Sequence, residues 1–197
     1  NGLLWANQFE NLAKQEGHFA DTGPGIYEQL AGDIDGFICA CGTGGTLTGV
    51  AKYLRTKNKN IKIGLADPHG AALYSYFSSG KLESSGSSIT EGIGQGRITK
   101  NLEGLDLDYP LRISDEDALQ TMFTLVEKEG LYLGGSSGKG RELSVTGSEA
   151  KKEMNCNWVS PVTDTGTGTG VGGSGAARRC DIVLAQPCMD RTAHTRR

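Results

Sequence analysis

The chain has no apolar run approaching the roughly 18 residues that a membrane-spanning helix needs, and only 37% of its residues are hydrophobic. It has no basic excess. Twenty Lys and Arg stand against 23 Asp and Glu, a net charge of -3, which argues against a nucleic-acid binder with its basic face. Zinc-type spacing is missing as well. The five cysteines, Cys39, Cys41, Cys156, Cys180 and Cys188, include no C-x-x-C pair and have no paired histidines nearby. They are expected as buried, reduced thiols of a cytoplasmic protein, with no metal site. His69, after Asp67-Pro68, reads as a solvent-facing loop residue. There is no internal repeat, no secretory signal and no initiating methionine, since the chain starts at Asn1. A fragment of a longer protein is therefore expected.

Glycine is abundant instead. The 30 glycines are about twice the average usage, and they have no period of three, which excludes collagen. Composition divides the chain near residue 138. Residues 1–138 hold 11 Lys and Arg against 17 Asp and Glu, and residues 139–197 hold 9 against 6. The second segment runs through Thr163-Asp164-Thr165-Gly166-Thr167-Gly168-Thr169-Gly170 and ends in scattered arginines. It reads as a flexible, low-complexity tail, expected to be largely disordered. Within it only Asp181-Ile182-Val183-Leu184-Ala185 resembles a strand.

The first segment alternates strand and helix signals. Leu3 to Gln15 has a helical apolar pattern, and Thr22-Gly23-Pro24 opens a short helix over Ile26 to Leu30. Phe37-Ile38-Cys39-Ala40 reads as a strand, Thr46 to Lys57 as a helix with Leu47, Val50, Ala51 and Leu54 on one stripe, and Ile61 to Ala66 as a second strand. Strand, glycine loop, helix, strand is the layout of a βαβ unit in a parallel sheet. Ser114 caps a helix running through Leu119, Met122, Phe123 and Val126 to Glu129, with Asp115 and Glu116 suited to its positive N-terminus. Gly130 stops it, and Leu131-Tyr132-Leu133 is expected as a third strand. The fold class is α/β, a mainly parallel sheet flanked by helices.

Three glycine loops stand out, the first and third of them after strand signals. Gly42-Thr43-Gly44-Gly45-Thr46 opens a helix, where amide N–H groups, two hydroxyls and the helix dipole suit an anion. It is not a Walker A loop, because no Gly-Lys-Ser/Thr follows. A dinucleotide fingerprint would place its third glycine at position 47, which is Leu47. One phosphate is the natural ligand. Glu91-Gly92-Ile93-Gly94-Gln95-Gly96 suits backbone lying against a flat ligand, or a plain surface loop. Gly134-Gly135-Ser136-Ser137-Gly138 could bring a hydroxyl to a ring nitrogen, or could be a simple turn.

Taken in order, Asn7-Gln8-Phe9-Glu10-Asn11, Thr22-Gly23-Pro24, Gly42 through Val50, Glu91-Gly92-Ile93-Gly94, Ser114-Asp115-Glu116 and Gly135-Ser136-Ser137-Gly138 resemble the cysteine synthase and cystathionine β-synthase family. These are pyridoxal-phosphate enzymes of the tryptophan-synthase-β-like fold, and the resemblance covers about residues 1–138. It implies a cofactor phosphate held by Gly42, Thr43, Gly44, Gly45 and Thr46, with Gly92 close to the cofactor and Ser136 bonded to the pyridine nitrogen. It implies Gln8 and Gly94 near the substrate. The implied reaction is β-replacement of the acetate of O-acetylserine by sulfide, giving L-cysteine, and the implied full-length protein is a homodimer.

The resemblance also exposes departures. The family's Schiff-base lysine lies in a Lys-Asp-Arg-like context that is absent here, and Lys52, Lys57, Lys59, Lys62 and Lys128 read as surface charges. No catalytic residue is assigned, and the chain is expected to be inactive alone, the half carrying the lysine being missing. After Gly138 the family's apolar helix gives way to Lys139-Gly140-Arg141-Glu142 and the tail, as a shifted reading frame would produce. Two other readings share these motifs: a cystathionine β-synthase type of β-replacement, and a non-catalytic chain that binds a phosphate or a partner protein. Neither nucleic acid nor a membrane is expected as a partner.

Overall fold

The computed structural model describes residues 2, 3, 5–139, 158–161 and 183–185. Ten elements follow in chain order: α1 (Ala13–Gly17), α2 (Gly23–Gln29), β1 (Gly36–Ala40), α3 (Gly45–Lys57), β2 (Lys62–Pro68), α4 (Leu73–Ser79), β3 (Tyr109–Ile113), α5 (Asp115–Glu129), β4 (Trp158–Pro161) and β5 (Val183–Ala185). The strands form one sheet in the order β3-β2-β1-β4-β5. The pairs β3·β2, β2·β1 and β1·β4 are parallel, and β4·β5 is antiparallel. The result is a mainly parallel α/β sheet flanked by helices, with one antiparallel strand at its edge.

The central βαβ unit forms where its pattern places it. Phe37, Ile38 and Cys39 of β1 and Ile63, Leu65 and Ala66 of β2 are buried, as strands covered on both faces must be. On α3 the stripe Leu47, Val50, Ala51 and Leu54 is fully buried and meets Ile63 and Leu65 in the main core. Arg55 and Lys57 stand in its last turn, where cations suit the helix dipole. On α5, Ser114 Oγ accepts from the Asp117 N–H at 3.0 Å, and Gly130 closes the helix at φ +68°, so both expected caps are present.

Two expectations are corrected. The helix predicted from Leu3 is only α1, because Asn7 takes a left-handed φ of +44° and Leu3 and Trp5 face solvent. Residues 131–133 form no strand. The Leu131 N–H bonds back to Leu125 O at 3.2 Å, which finishes the helix, and Tyr132 is exposed. The third parallel strand is β3, whose Pro110 masks it in the sequence. Proline cannot donate to a ladder, and an edge strand is where it is tolerated. On α5 the buried positions are Ala118, Thr121 and Leu125, while Phe123 and Val126 face outward. Finally, the sheet draws on both sides of residue 138. β4 pairs with the central strand β1 and buries Trp158 and Val159. β5, within the strand-like 181–185, pairs with β4. The Gly/Thr-rich stretch lies outside the described residues.

Candidate functional site

The carboxyl end of β1 runs through Cys41 into the first glycine loop, and the loop's form follows from its neighbours. Gly44 takes φ +87° immediately before α3, a conformation most side chains avoid. A β-carbon on Gly42 would stand 2.5 Å from the carbonyl oxygen of Gly92, so only glycine lets the first and second loops approach. Just before the first loop, Cys41 O accepts from the Gly94 N–H of the second at 2.8 Å. Thr99 Oγ1 adds a bond to Thr43 O at 2.7 Å.

Between these loops lies a cavity of about 430 Å³. Gln8, Gly42, Thr43, Thr46, Gly92 and Gly94, six of the nine site residues expected from sequence, line it. Gly44 and Gly45 form the head of α3 behind this wall. Ser136 does not line it. That residue is buried in a short helical turn at 135–139, beside a Gly138 packed so closely on Ala118 O that a β-carbon would collide with it.

Several contributors carried no motif. Gln15 is buried and donates from Nε2 to Asn101 O at 3.0 Å, while Asn101 Nδ2 donates to Phe9 O at 3.0 Å. This clip holds the segment carrying Gln8 against the cavity. Lys14 also lines the cavity, and its Nζ donates to Gln8 Oε1 at 3.4 Å. His18 bridges Thr22 Oγ1 (2.8 Å) and Thr46 Oγ1 (3.0 Å). Burial, then the Lys14 charge, pulls its imidazole below the ordinary range, so it is neutral at pH 7. An Asn7–Gln8 motif gives no hint of these partners, since the contacts are set by α1 packing on α3.

The lining contains no carboxylate. Cys39 contributes to it, and the thiols of Cys39 and Cys41 are buried and in no disulfide, as expected. Burial pushes the Cys41 thiol well up, which keeps it protonated and unreactive. Asp67, at the end of β2, is fully buried and accepts from the Tyr74 N–H at 2.8 Å, with its second oxygen unpartnered. Burial raises its pKa to about 6. The lysines read as surface charges have ordinary partners where contacts exist: Lys62 pairs with Asp108 at 2.9 Å, Lys52 donates to Gln15, and Lys57 lies over Tyr27 and Tyr53. Among the described residues no cluster of metal-ligating side chains is present, and no helix is long and apolar enough to cross a membrane.

The family described as "Pyridoxal-phosphate dependent enzyme" matches residues 1–164. Cysteine synthase 1 of Neurospora crassa is 51% identical over 142 residues, and that of Emericella nidulans is 50% identical over 142 residues; each match covers 70% of this chain. The chain spans 38% of the length of either relative. Among solved structures, O-acetyl serine sulfhydrylase isoform 3 from Entamoeba histolytica superposes with a TM-score of 0.62 at 30% identity, covering 71% of this chain and 39% of that one. The O-acetylserine-dependent cystathionine β-synthase from Helicobacter pylori gives 0.61 at 32%, covering 68% and 41%. The chain belongs to the pyridoxal-phosphate-dependent enzyme family, within its cysteine synthase group.

Proposed function

We propose that this chain provides the phosphate-binding wall of a pyridoxal 5'-phosphate cleft that serves β-replacement on O-acetylserine by sulfide, giving L-cysteine. The observation that carries the reading is the approach of Gly42 to Gly92 O beside a cavity free of carboxylates. A phosphate fits that end: α3 begins there, Thr43 and Thr46 carry hydroxyls, and no acidic lining residue repels an anion. When bound, the cofactor supplies an electron sink for the amino acid's α-carbon.

The chain's own residues bind and orient. The amides at the head of α3 and the two threonines hold the phosphate, and the backbone of Gly92 to Gly94 lies along the ring. Gln8, fixed by the Gln15–Asn101 clip, orients the substrate carboxylate. The ring-nitrogen role implied for Ser136 is not part of this proposal, because Ser136 does not line the cavity. Lys14 is the one lysine of the described residues that does line it, and it lies over the phosphate end. No amine of the described residues is therefore placed to abstract the α-proton, and the chain alone is expected to be catalytically silent. The full-length enzyme is expected to be a cytoplasmic homodimer.

The test is a titration of the 197-residue chain with pyridoxal phosphate and with unphosphorylated pyridoxal, followed by ultraviolet–visible spectroscopy. Saturable binding of the phosphorylated compound, at least about tenfold tighter than pyridoxal, supports the reading. Equal binding of the two contradicts it. Cysteine production from O-acetylserine and sulfide by the chain alone would overturn the claim of catalytic silence.

A further inference from the structure

Lys14 is the cation of the cavity, and no family motif points to it. It follows the Asn7–Asn11 motif, in the first turn of α1. Its stem lies against the phosphate loop: a β-carbon on Gly45, the first residue of α3, would come within 2.8 Å of Lys14 Cβ. The side chain therefore starts directly over the head of α3 and extends into the same cavity as Gly42, Thr43 and Thr46.

Its charge is unneutralised. Lys14 forms no ion pair among the described residues, and the cavity lining has no carboxylate. Among the described residues its one hydrogen bond is the 3.4 Å contact to Gln8 Oε1, long for a charge-assisted bond, and an ammonium has three protons to give. The neighbouring imidazole of His18 is spent on Thr22 and Thr46 and is neutral, so it contributes no charge.

We infer that Lys14 is a phosphate-binding residue, closing the neutral cradle at the head of α3 with a full positive charge. The inference rests on the reading of the cavity as a phosphate site. An amide-and-hydroxyl cradle binds phosphate through dipoles and hydrogen bonds alone. A lysine on its rim adds a charge that favours the dianion and is screened by salt. The competing source of an oxyanion in this cavity is an amino-acid carboxylate near Gln8. The contact with Gly45 favours the phosphate, because it places the root of the side chain on the loop that would hold the phosphate.

The experiment compares the unchanged chain with Lys14→Gln and Lys14→Arg by calorimetric titration with inorganic phosphate, pyridoxal phosphate, pyridoxal and L-serine. Lys14 is exposed, and circular dichroism of each variant should match that of the parent. Lys14→Gln is expected to weaken both phosphate-bearing ligands about tenfold and to reduce the salt dependence of their binding. Lys14→Arg should restore most of the loss, and pyridoxal binding should not change. The inference is overturned if Lys14→Gln binds both phosphate-bearing ligands as tightly as the parent, if only L-serine weakens, or if the unchanged chain binds no phosphate. The proposed function fails separately, when pyridoxal phosphate binds no better than inorganic phosphate, an outcome in which Lys14 still stands or falls on the phosphate ratio.

Discussion

Gly42-Thr43-Gly44-Gly45-Thr46 and Gly134-Gly135-Ser136-Ser137-Gly138 are similar in composition: three glycines and two hydroxyl residues each. The first joins a central strand to a thirteen-residue helix, packs against Gly92 of the second glycine loop, and lines the cavity. The last follows a non-strand segment, turns at once into the short helix 135–139, and packs on α5. The glycines differ accordingly. Gly42 is required by a backbone oxygen of another loop, Gly138 by the backbone of α5, and Gly135 has nothing within 4 Å of a β-carbon. A glycine-rich string becomes a ligand wall only when a strand end and a helix start hold its amides toward one point.

Substitutions test that contrast, beginning with the largest expected effect. Gly42→Ala drives a methyl into Gly92 O, and phosphate affinity should fall by at least about 100-fold, read by calorimetry. An affinity within threefold of the parent would break the comparison. Asp67→Asn probes the burial behind the first loop, at the same end of the sheet. Burial lifts the folded-state pKa to about 6, so the folded chain holds this proton more tightly than the unfolded chain. That carboxyl therefore costs stability progressively as pH rises from about 4 through about 6. Asn removes the cost, and urea denaturation should show the difference in stability between pH 4 and pH 7 flattened by about 2 kcal/mol.

Gly138→Ala should lower stability by about 2 kcal/mol while leaving phosphate affinity intact, since its glycine serves the packing of α5 and not the cavity. The smallest effect belongs to Gly135→Ala, expected within about 0.5 kcal/mol of the parent with unchanged binding. A loss of phosphate affinity in either third-loop variant would place that loop in the site after all.

The central unit was legible because two periods switch cleanly there: a short apolar run, five residues of glycine and threonine, then Leu47, Val50, Ala51 and Leu54 at helical spacing. Capping made α5 legible in the same way, through Ser114 and Gly130. What stayed hidden depends on tertiary context. Pro110 disguises β3, because a proline is acceptable only at an edge, and edges are known only once the sheet is assembled. Trp158-Val159-Ser160-Pro161 is four residues in a polar neighbourhood, and β1 supplies the ladder that makes it β4. In the candidate site, the glycines and threonines carried a readable pattern. Lys14, Gln15, His18 and Asn101 did not, since their roles come from α1 crossing α3 and from a bond between residues 86 positions apart.

The most direct measurement of the central claim is a two-dimensional amide NMR spectrum of the labelled chain, recorded as pyridoxal phosphate is added. Amides of Thr43 to Leu47, with Gly92 and Gly94, are expected to shift together and saturably, while those of Gly134 to Gly138 stay in place. Shifts centred on Gly134 to Gly138, or no saturable shift at the head of α3, would contradict the assignment of the first loop as the phosphate wall.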